Sequence, residues 1–322
     1  MRAIHCTQLG EPEVLKVEEF PEPQPAAGQV VVDSKAFGLN FVDVLMVAGG
    51  YQLKPDLPFV PGLEGAGVVT AVGPGVAKSR IGERVIFGKR PGAFAERVAV
   101  EEARVLPLPD SVSFEQGACF RSAYSTAYHG LVQGGRLSAG EVVLIHGATG
   151  GMGLAAVQVA KRLGAIVVAT GGSDDKLAVV KQYGADHTLN YSSDAFRDEV
   201  RELVGGADVI FDPVGGDIFD ESMRCLNWGA RVVVVGFAAG RPALARTNHV
   251  LIKGASVVGV RAGEFGRRNP EIAKNNLDTL LDWASRGVVT SLISHRFTLD
   301  DVVKAMHVIK RREVVGRVVL TT

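Results

Sequence analysis

The chain has 322 residues, 47% hydrophobic and rich in glycine (39), which excludes a disordered or fibrous protein and fits a strand- and turn-rich globular one of about two domains. Lys plus Arg and Asp plus Glu both number 35, so no net field favours nucleic acid as a main ligand or an anionic membrane. No apolar span approaches the roughly 20 residues of a transmembrane helix, and residues 1–6 carry no signal-peptide core. Cys6, Cys119 and Cys225 are too few and scattered for a disulfide framework, so the expected setting is the reducing cytoplasm.

In chain order, residues 1–116 read as a mainly β module. Short β-type runs at 29–34, 67–72, 83–87 and 95–100 alternate with Pro- and Gly-rich turns. Pro21-Glu22-Pro23-Gln24-Pro25 is a connector, neither helix nor central strand. The pattern predicts a partly open β-barrel. From 117 the pattern changes. Val/Ile-rich runs begin at Val142 and recur at 166–170, 208–212, 230–237 and 256–261, with a shorter polar one at 187–191. Helix-like segments at 154–163, 174–183, 195–204 and 219–227 separate them, and Gly164 and Gly184 sit where helix ends are expected. Continuous apolar runs predict a parallel sheet covered on both faces, hence a doubly wound α/β domain over 117–261. After 262 come a helix (270–286), a β-like run (294–297), a second helix (299–309) and a terminal strand (314–320). This tail is too short to stand alone. It is expected to fold back on the first module, making 1–116 with 262–322 one domain and 117–261 an insertion.

The run from Val142 ends in Gly147-Ala148-Thr149-Gly150-Gly151-Met152-Gly153 and passes into a helical pattern. Glycines let backbone approach a ligand, and a helix N-terminus presents unpaired N–H groups and a positive dipole end. A pyrophosphate is the expected occupant, held at Thr149, Gly150, Gly151 and Met152. The spacing differs from G-x-G-x-x-G, and the alternative is a doubly wound domain with another ligand. In NAD-binding domains an acid usually closes the second strand; here that strand ends Gly171-Gly172-Ser173, small and neutral. Ser173, Lys176 and Tyr191 offer the hydroxyls and cation that a 2′-phosphate needs, so the pattern predicts NADPH rather than NADH. Phe237, Ala238, Val260 and Arg261 follow strands on the carboxyl edge, where ligands bind in open α/β sheets.

Several motifs, together, point to one family: Gly38-Leu39-Asn40-Phe41-Val42-Asp43, Pro61-Gly62-Leu63-Glu64-Gly65-Ala66-Gly67, Gly82-Glu83-Arg84-Val85, Gly92-Ala93-Phe94-Ala95-Glu96, the glycine cluster, Gly184-Ala185-Asp186, Asp212-Pro213-Val214-Gly215-Gly216 and Gly316-Arg317-Val318-Val319-Leu320. Over essentially its whole length the chain resembles the zinc-free quinone oxidoreductase (zeta-crystallin-like) branch of the medium-chain dehydrogenase/reductase superfamily. The resemblance implies a GroES-like catalytic domain with a Rossmann domain, an active site in the cleft they form, and reduction of quinones or related conjugated carbonyls by NADPH. It implies homodimers or homotetramers joined through the Rossmann edge strand. By the same resemblance Asn40 meets the reactive end of the cofactor and Tyr51 lines the substrate side. Thr126 begins the first Rossmann helix and Arg317 lies beside the cofactor. The ligands of the superfamily's catalytic zinc would fall at Asn40, Leu63 and near Ser122, none of which supplies a thiolate or imidazole, so no metal is expected. His129 and His146 flank the cofactor region without metal-ligand or triad spacing. Two other readings remain open: a 2-enoyl, alkenal or haloacrylate-type double-bond reductase, and a non-catalytic NADPH-binding structural or RNA-binding protein. Pocket shape would depend on the segments 51–58 and 262–270, both read as loops.

Overall fold

Chain direction, not composition alone, separates the two halves of the computed structural model, which describes residues 1–192 and 196–322. Its first strands are antiparallel. β1 (Arg2–Cys6) pairs with β2 (Leu15–Glu19), and β3 (Gln29–Leu39) pairs with β4 (Glu64–Val72). β5 (Arg84–Gly88), β6 (Arg97–Glu101) and β7 (Val105–Pro107) complete the amino-terminal set. β3 is longer than the predicted 29–34 because it serves three partners: β4 on one edge, and on the other β6 at Gln29–Asp33 and the last strand of the chain at Ala36–Leu39. Register shifts against β4 between Val31 and Val32 and between Ser34 and Ala36 bend the strand where it changes partner. Val30, Val32, Phe37 and Phe94 fill the interior, Phe37 meeting Phe94 edge to face at 5.9 Å.

The middle of the chain gives a six-stranded parallel sheet: β8 (Val142–Ile145), β9 (Ile166–Gly171), β10 (His187–Asn190), β11 (Ala207–Asp212), β12 (Leu226–Val234) and β13 (Ser256–Gly259). Their order, β10-β9-β8-β11-β12-β13, is that of a Rossmann domain, with the switch point beside β8. Helices Gly151–Arg162, Asp174–Gln182 and Phe196–Val204 match the helical pattern, and the first two stop just before Gly164 and Gly184. The first residue of the predicted 195–204 helix lies outside the described residues. The prediction at 219–227 needs correction: the helix is Gly216–Ser222, and Asn227 is already in β12. The reason is packing. Met223, Cys225 and Leu226 turn into the core, while Trp228 and Gly229 form an irregular, outward-facing start to the strand, where its register against β11 shifts.

Beyond β13, segment 262–270, read as a loop, is largely helical: Ala262–Arg268 precedes the long helix Pro270–Ser285. β14 (Ile293–Thr298) and β15 (Arg317–Thr321) follow, with the helix Val302–Lys310 joining them. β15 lies antiparallel on β3, Val318 opposite Leu39, so the tail completes the first sheet, ordered β14-β15-β3-β4-β5-β7. The chain thus divides into two compact units, Met1–Ser122 with Leu281–Thr322 and Ala123–Leu280. The expected limits at 116 and 262 both precede these seams, the second of which falls within the helix Pro270–Ser285. Among the described residues no helix is long and apolar enough to cross a membrane.

Candidate active site

In the second unit, β8 delivers the chain into a tight turn at Gly147, where φ is +58°, and the helix Gly151–Arg162 starts at once. A Cβ on Gly153 would lie 2.2 Å from the carbonyl oxygen of Gly147, so only glycine lets the helix press this closely on the turn. Thr149, Gly150, Gly151 and Met152 are half-buried at the mouth of the turn, where the first helical N–H groups lack intrahelical acceptors. This is a cradle of backbone donors suited to a pyrophosphate.

Next to it, β9 ends at Gly171, and the Tyr191 backbone N–H donates to the Gly171 carbonyl at 3.1 Å, joining the ends of β9 and β10. Ser173 is the N-cap of the helix Asp174–Gln182, which carries Lys176 in its first turn. Gly172 lies close to the Tyr191 ring, since a Cβ there would meet Tyr191 Cε2 at 3.6 Å. Ser173, Lys176 and Tyr191 therefore share one corner of the sheet, and no acid closes β9 there. Across the edge, Ala238 N–H donates to the Pro213 carbonyl at 3.0 Å, and Phe237, half exposed, stands against Gly215. Arg261 is exposed as the N-cap of Ala262–Arg268, whereas the Val260 side chain is buried toward Gly134. Thr126 sits inside the helix Arg121–Tyr128, not at its start.

Two residues of this unit, named in the sequence only as a motif position and as a dispersed histidine, gain their roles from the structure. The Asp212 carboxylate accepts from Val214 and Gly215 N–H at 2.7 and 2.9 Å and shapes the turn after β11; its other oxygen is buried without a partner among the described residues. His146 is a buried structural residue. Nδ1 lies 2.8 Å from Thr170 Oγ1 and Nε2 lies 2.7 Å from Ser222 Oγ, which itself donates to the Ile218 carbonyl. Burial pulls its pKa down to about 4, against a smaller opposing pull from Asp212.

In the first unit, β3 ends at Leu39 and Asn40 caps the helix Phe41–Val47. Asn40 is fully engaged. Its Nδ2 donates to the Gly38 carbonyl and to Glu64 Oε1, both at 3.1 Å, and its Oδ1 accepts from Arg317 Nη1 at 2.8 Å. Carboxylate on one side and guanidinium on the other fix the orientation of the amide. Arg317 Nη2 donates to Glu64 Oε1 at 2.6 Å, and Glu64 Oε2 accepts from Ser122 N–H at 2.7 Å. A Cβ on Gly38 would strike the Ala118 carbonyl oxygen at 2.3 Å and crowd this ion pair. Burial is the largest single influence on Arg317 and works against its charge, but Glu64, Cys119 and Asp43 together outweigh it and hold the pKa above the ordinary arginine value. Asp43 completes the corner, its Oδ2 accepting from Asn40 N–H at 2.8 Å while its Oδ1 is buried without a partner among the described residues. Burial drives the Asp43 carboxyl up to about 7; the Asn40 bond pulls it down, Glu64 pushes it further up, and Arg317 and Arg90 oppose. Asp43 and Glu64 were legible only as motif positions, although Asn40-x-x-Asp43 has the spacing of a reciprocal helix cap.

Tyr51, half-buried, follows Gly49-Gly50. Its hydroxyl accepts from Arg90 Nη2 and from Gln52 Nε2. Among the described residues no group of three or more His, Cys, Asp or Glu is placed to hold a metal ion. The donor set at the superfamily's zinc position does not suit zinc either, with the Asn40 amide engaged and Leu63 apolar and buried.

Two family profiles match the chain: the alcohol dehydrogenase GroES-like domain over residues 26–110 and the zinc-binding dehydrogenase over residues 151–285. A quinone oxidoreductase-like protein 2 homolog of Nematostella vectensis is 35% identical over 325 residues, covering 100% of this chain and 89% of that protein. The quinone oxidoreductase of Mus musculus is 35% identical over 266 residues, 81% of this chain and 80% of that one. Among solved structures, Escherichia coli quinone oxidoreductase complexed with NADPH superimposes with a TM-score of 0.93 at 28% identity, covering 100% of both chains.

Proposed function

The chain belongs to the quinone oxidoreductase branch of the medium-chain dehydrogenase/reductase superfamily, and from that membership we propose that it is an NADPH-dependent quinone reductase working without a metal. The observation that carries the cofactor choice is the corner formed by Gly171, Ser173, Lys176 and Tyr191, which pairs hydroxyls and a cation where an acid would select NADH. NADPH supplies the hydride, and the protein supplies binding and orientation. The cradle at Thr149, Gly150, Gly151 and Met152 would hold the pyrophosphate, with Thr126, Phe237, Ala238, Val260 and Arg261 as further proposed cofactor contacts. Tyr51 orients the acceptor through its hydroxyl. Asn40 is the residue proposed to meet the reactive end of the cofactor, and its amide is held in one orientation by Arg317 and Glu64.

The test measures NADPH consumption against quinones, enones and acrylates, with NADH as control, beside fluorescence titration of both cofactors. Lys176→Ala is expected to weaken NADPH about tenfold and leave NADH unmoved. Equal affinity of the parent for the two cofactors overturns the 2′-phosphate assignment. Turnover confined to enones or acrylates moves the reading to a double-bond reductase. NADPH binding with no turnover moves it to a binding protein. Chelators are expected to leave the rate unchanged, and stoichiometric zinc in a sample that chelators inactivate overturns the metal-free reading.

A second copy of the chain is the proposed partner. β13 is the outer strand of its sheet, and Trp228, Leu251 and Ile252 in the same unit are 79%, 80% and 66% exposed. Light scattering should find a dimer or tetramer, which Trp228→Lys with Leu251→Lys should dissociate.

A further inference from the structure

The hydroxyl of Tyr51 accepts from two side chains at once, Arg90 Nη2 and, at 3.2 Å, Gln52 Nε2. A phenol has two acceptor positions and one hydrogen. With both acceptor positions occupied, the hydrogen is left to donate outward, to a third oxygen. The Arg90 guanidinium also lies over the Tyr51 ring, its Cζ 4.8 Å from the centroid, so the two side chains are joined by a hydrogen bond and a cation–ring contact. Arg90 differs from most arginines of the molecule. Arg2, Arg80, Arg97, Arg197, Arg231 and Arg317 each meet a carboxylate, whereas no carboxylate pairs with Arg90 among the described residues. Its remaining N–H groups form a planar fork of the kind that matches a carboxylate or another anionic oxygen.

We propose that Arg90 and Tyr51 form an anion-recognition corner, selecting acceptors that carry an acidic oxygen beside the reducible carbonyl or double bond. The shared chemistry is a negatively charged oxygen on a flat conjugated group, taken by the guanidinium fork with the phenol as a further donor. Its two sources are the ionised hydroxyl of a hydroxyquinone and the carboxylate of a 2-enoate. The proposal rests on Tyr51 facing the acceptor, as the reductase reading has it, and it extends that reading to the charge of the acceptor.

The experiment is calorimetric binding of matched pairs to the protein loaded with NADP+, the oxidised cofactor, which has no hydride to give, with reduction assayed separately with NADPH. One arm uses ionised 2-hydroxy-1,4-naphthoquinone against neutral 2-methyl-1,4-naphthoquinone; the other uses cinnamate against cinnamamide. The anionic member of at least one pair should bind about tenfold more tightly, and the arm that shows it identifies the source. Arg90→Met should bring the ratio to about one, Arg90→Lys should restore part of it, and Tyr51→Phe should reduce it. Equal binding of both members of both pairs by the parent overturns the proposal. So does a fall in NADPH affinity with Arg90→Met that matches the fall for the anionic ligand, since the cation would then serve a cofactor phosphate. Binding is read without turnover, so the outcomes separate. A protein that reduces the neutral quinone but shows no anionic preference defeats this proposal alone. One that binds anionic ligands selectively and reduces nothing defeats the reductase reading alone.

Discussion

Each unit contains a buried polar network, and the two are built on opposite principles. In the second unit, His146 sits between Thr170 and Ser222 with both ring nitrogens in hydrogen bonds, neutral and satisfied. In the first, Arg317, Glu64, Asn40 and Asp43 bring charges together, and the arrangement leaves Arg317 Nε and Asp43 Oδ1 buried without partners among the described residues. Neutral networks satisfied on every side fix a fold. A charged network with unspent donors and acceptors repays less of its desolvation, and such groups are found where a protein needs an electrostatic surface more than it needs stability. The difference supports the proposed role of the Asn40 corner in the site and a structural role for His146.

The comparison breaks most visibly by removing one charge. Arg317→Met leaves Glu64 buried and uncompensated and is expected to cost about 3–5 kcal/mol in urea unfolding. Combining it with Glu64→Gln should recover much of that loss, because the pair's cost lies mainly in the stranded charge. A single-variant loss under about 1 kcal/mol means the pair is more hydrated than its geometry indicates.

Proton linkage sharpens the contrast. The Asp43 carboxyl is raised in the folded state, so its contribution is complete below the unfolded value and is lost as pH rises from about 4 through 7. The His146 ring is depressed, so its contribution is complete above the unfolded value and is lost as pH falls from about 6.5 through 4. In the shared window these two slopes oppose, while His129, also held below the ordinary histidine value by burial, adds to the histidine side in every variant alike. Asp43→Asn should expose the histidine slope, with stability falling toward acid. His146→Gln should expose the aspartate slope, with stability falling toward neutral pH. Each slope is at most about 1.4 kcal/mol per pH unit. Parallel slopes in the two variants would show that one of the groups is not buried in the protonation state assigned here.

The smallest effect belongs to the satisfied network at constant pH. At pH 7, His146→Gln keeps a polar group between two hydroxyls and should cost about 1–3 kcal/mol. Cofactor affinity normalised to folded protein should not move. A selective loss of NADPH binding would put His146 in the site after all.

The architecture was legible because its signals are local. Parallel strands announce themselves as apolar runs, and Gly164 and Gly184 mark helix ends wherever the rest of the chain lies. The short strands Arg2–Cys6 and Leu15–Glu19 carried no comparable signal, since they are stabilised by pairing with each other and by the core beneath. The site was legible residue by residue and not as a constellation. Asn40 and Arg317 were singled out, yet their direct bond spans 277 positions of sequence and the Arg317–Glu64 pair 253, relations that spacing cannot express. Arg90 was invisible for the same reason, because nothing around Lys89-Arg90-Pro91 refers to Tyr51.

The exposure of Trp228 has a spectroscopic consequence. The chain has two tryptophans, and they fall in different units: Trp228, open to water, in one, and Trp283, only 9% exposed, in the other. Their emission should therefore contain a long-wavelength component that iodide quenches and a shorter-wavelength component that it does not reach. Each unit carries its own reporter. A partner settling on the sheet edge would shift only the first component to the blue, whereas loosening of the helix Pro270–Ser285 would shift only the second to the red.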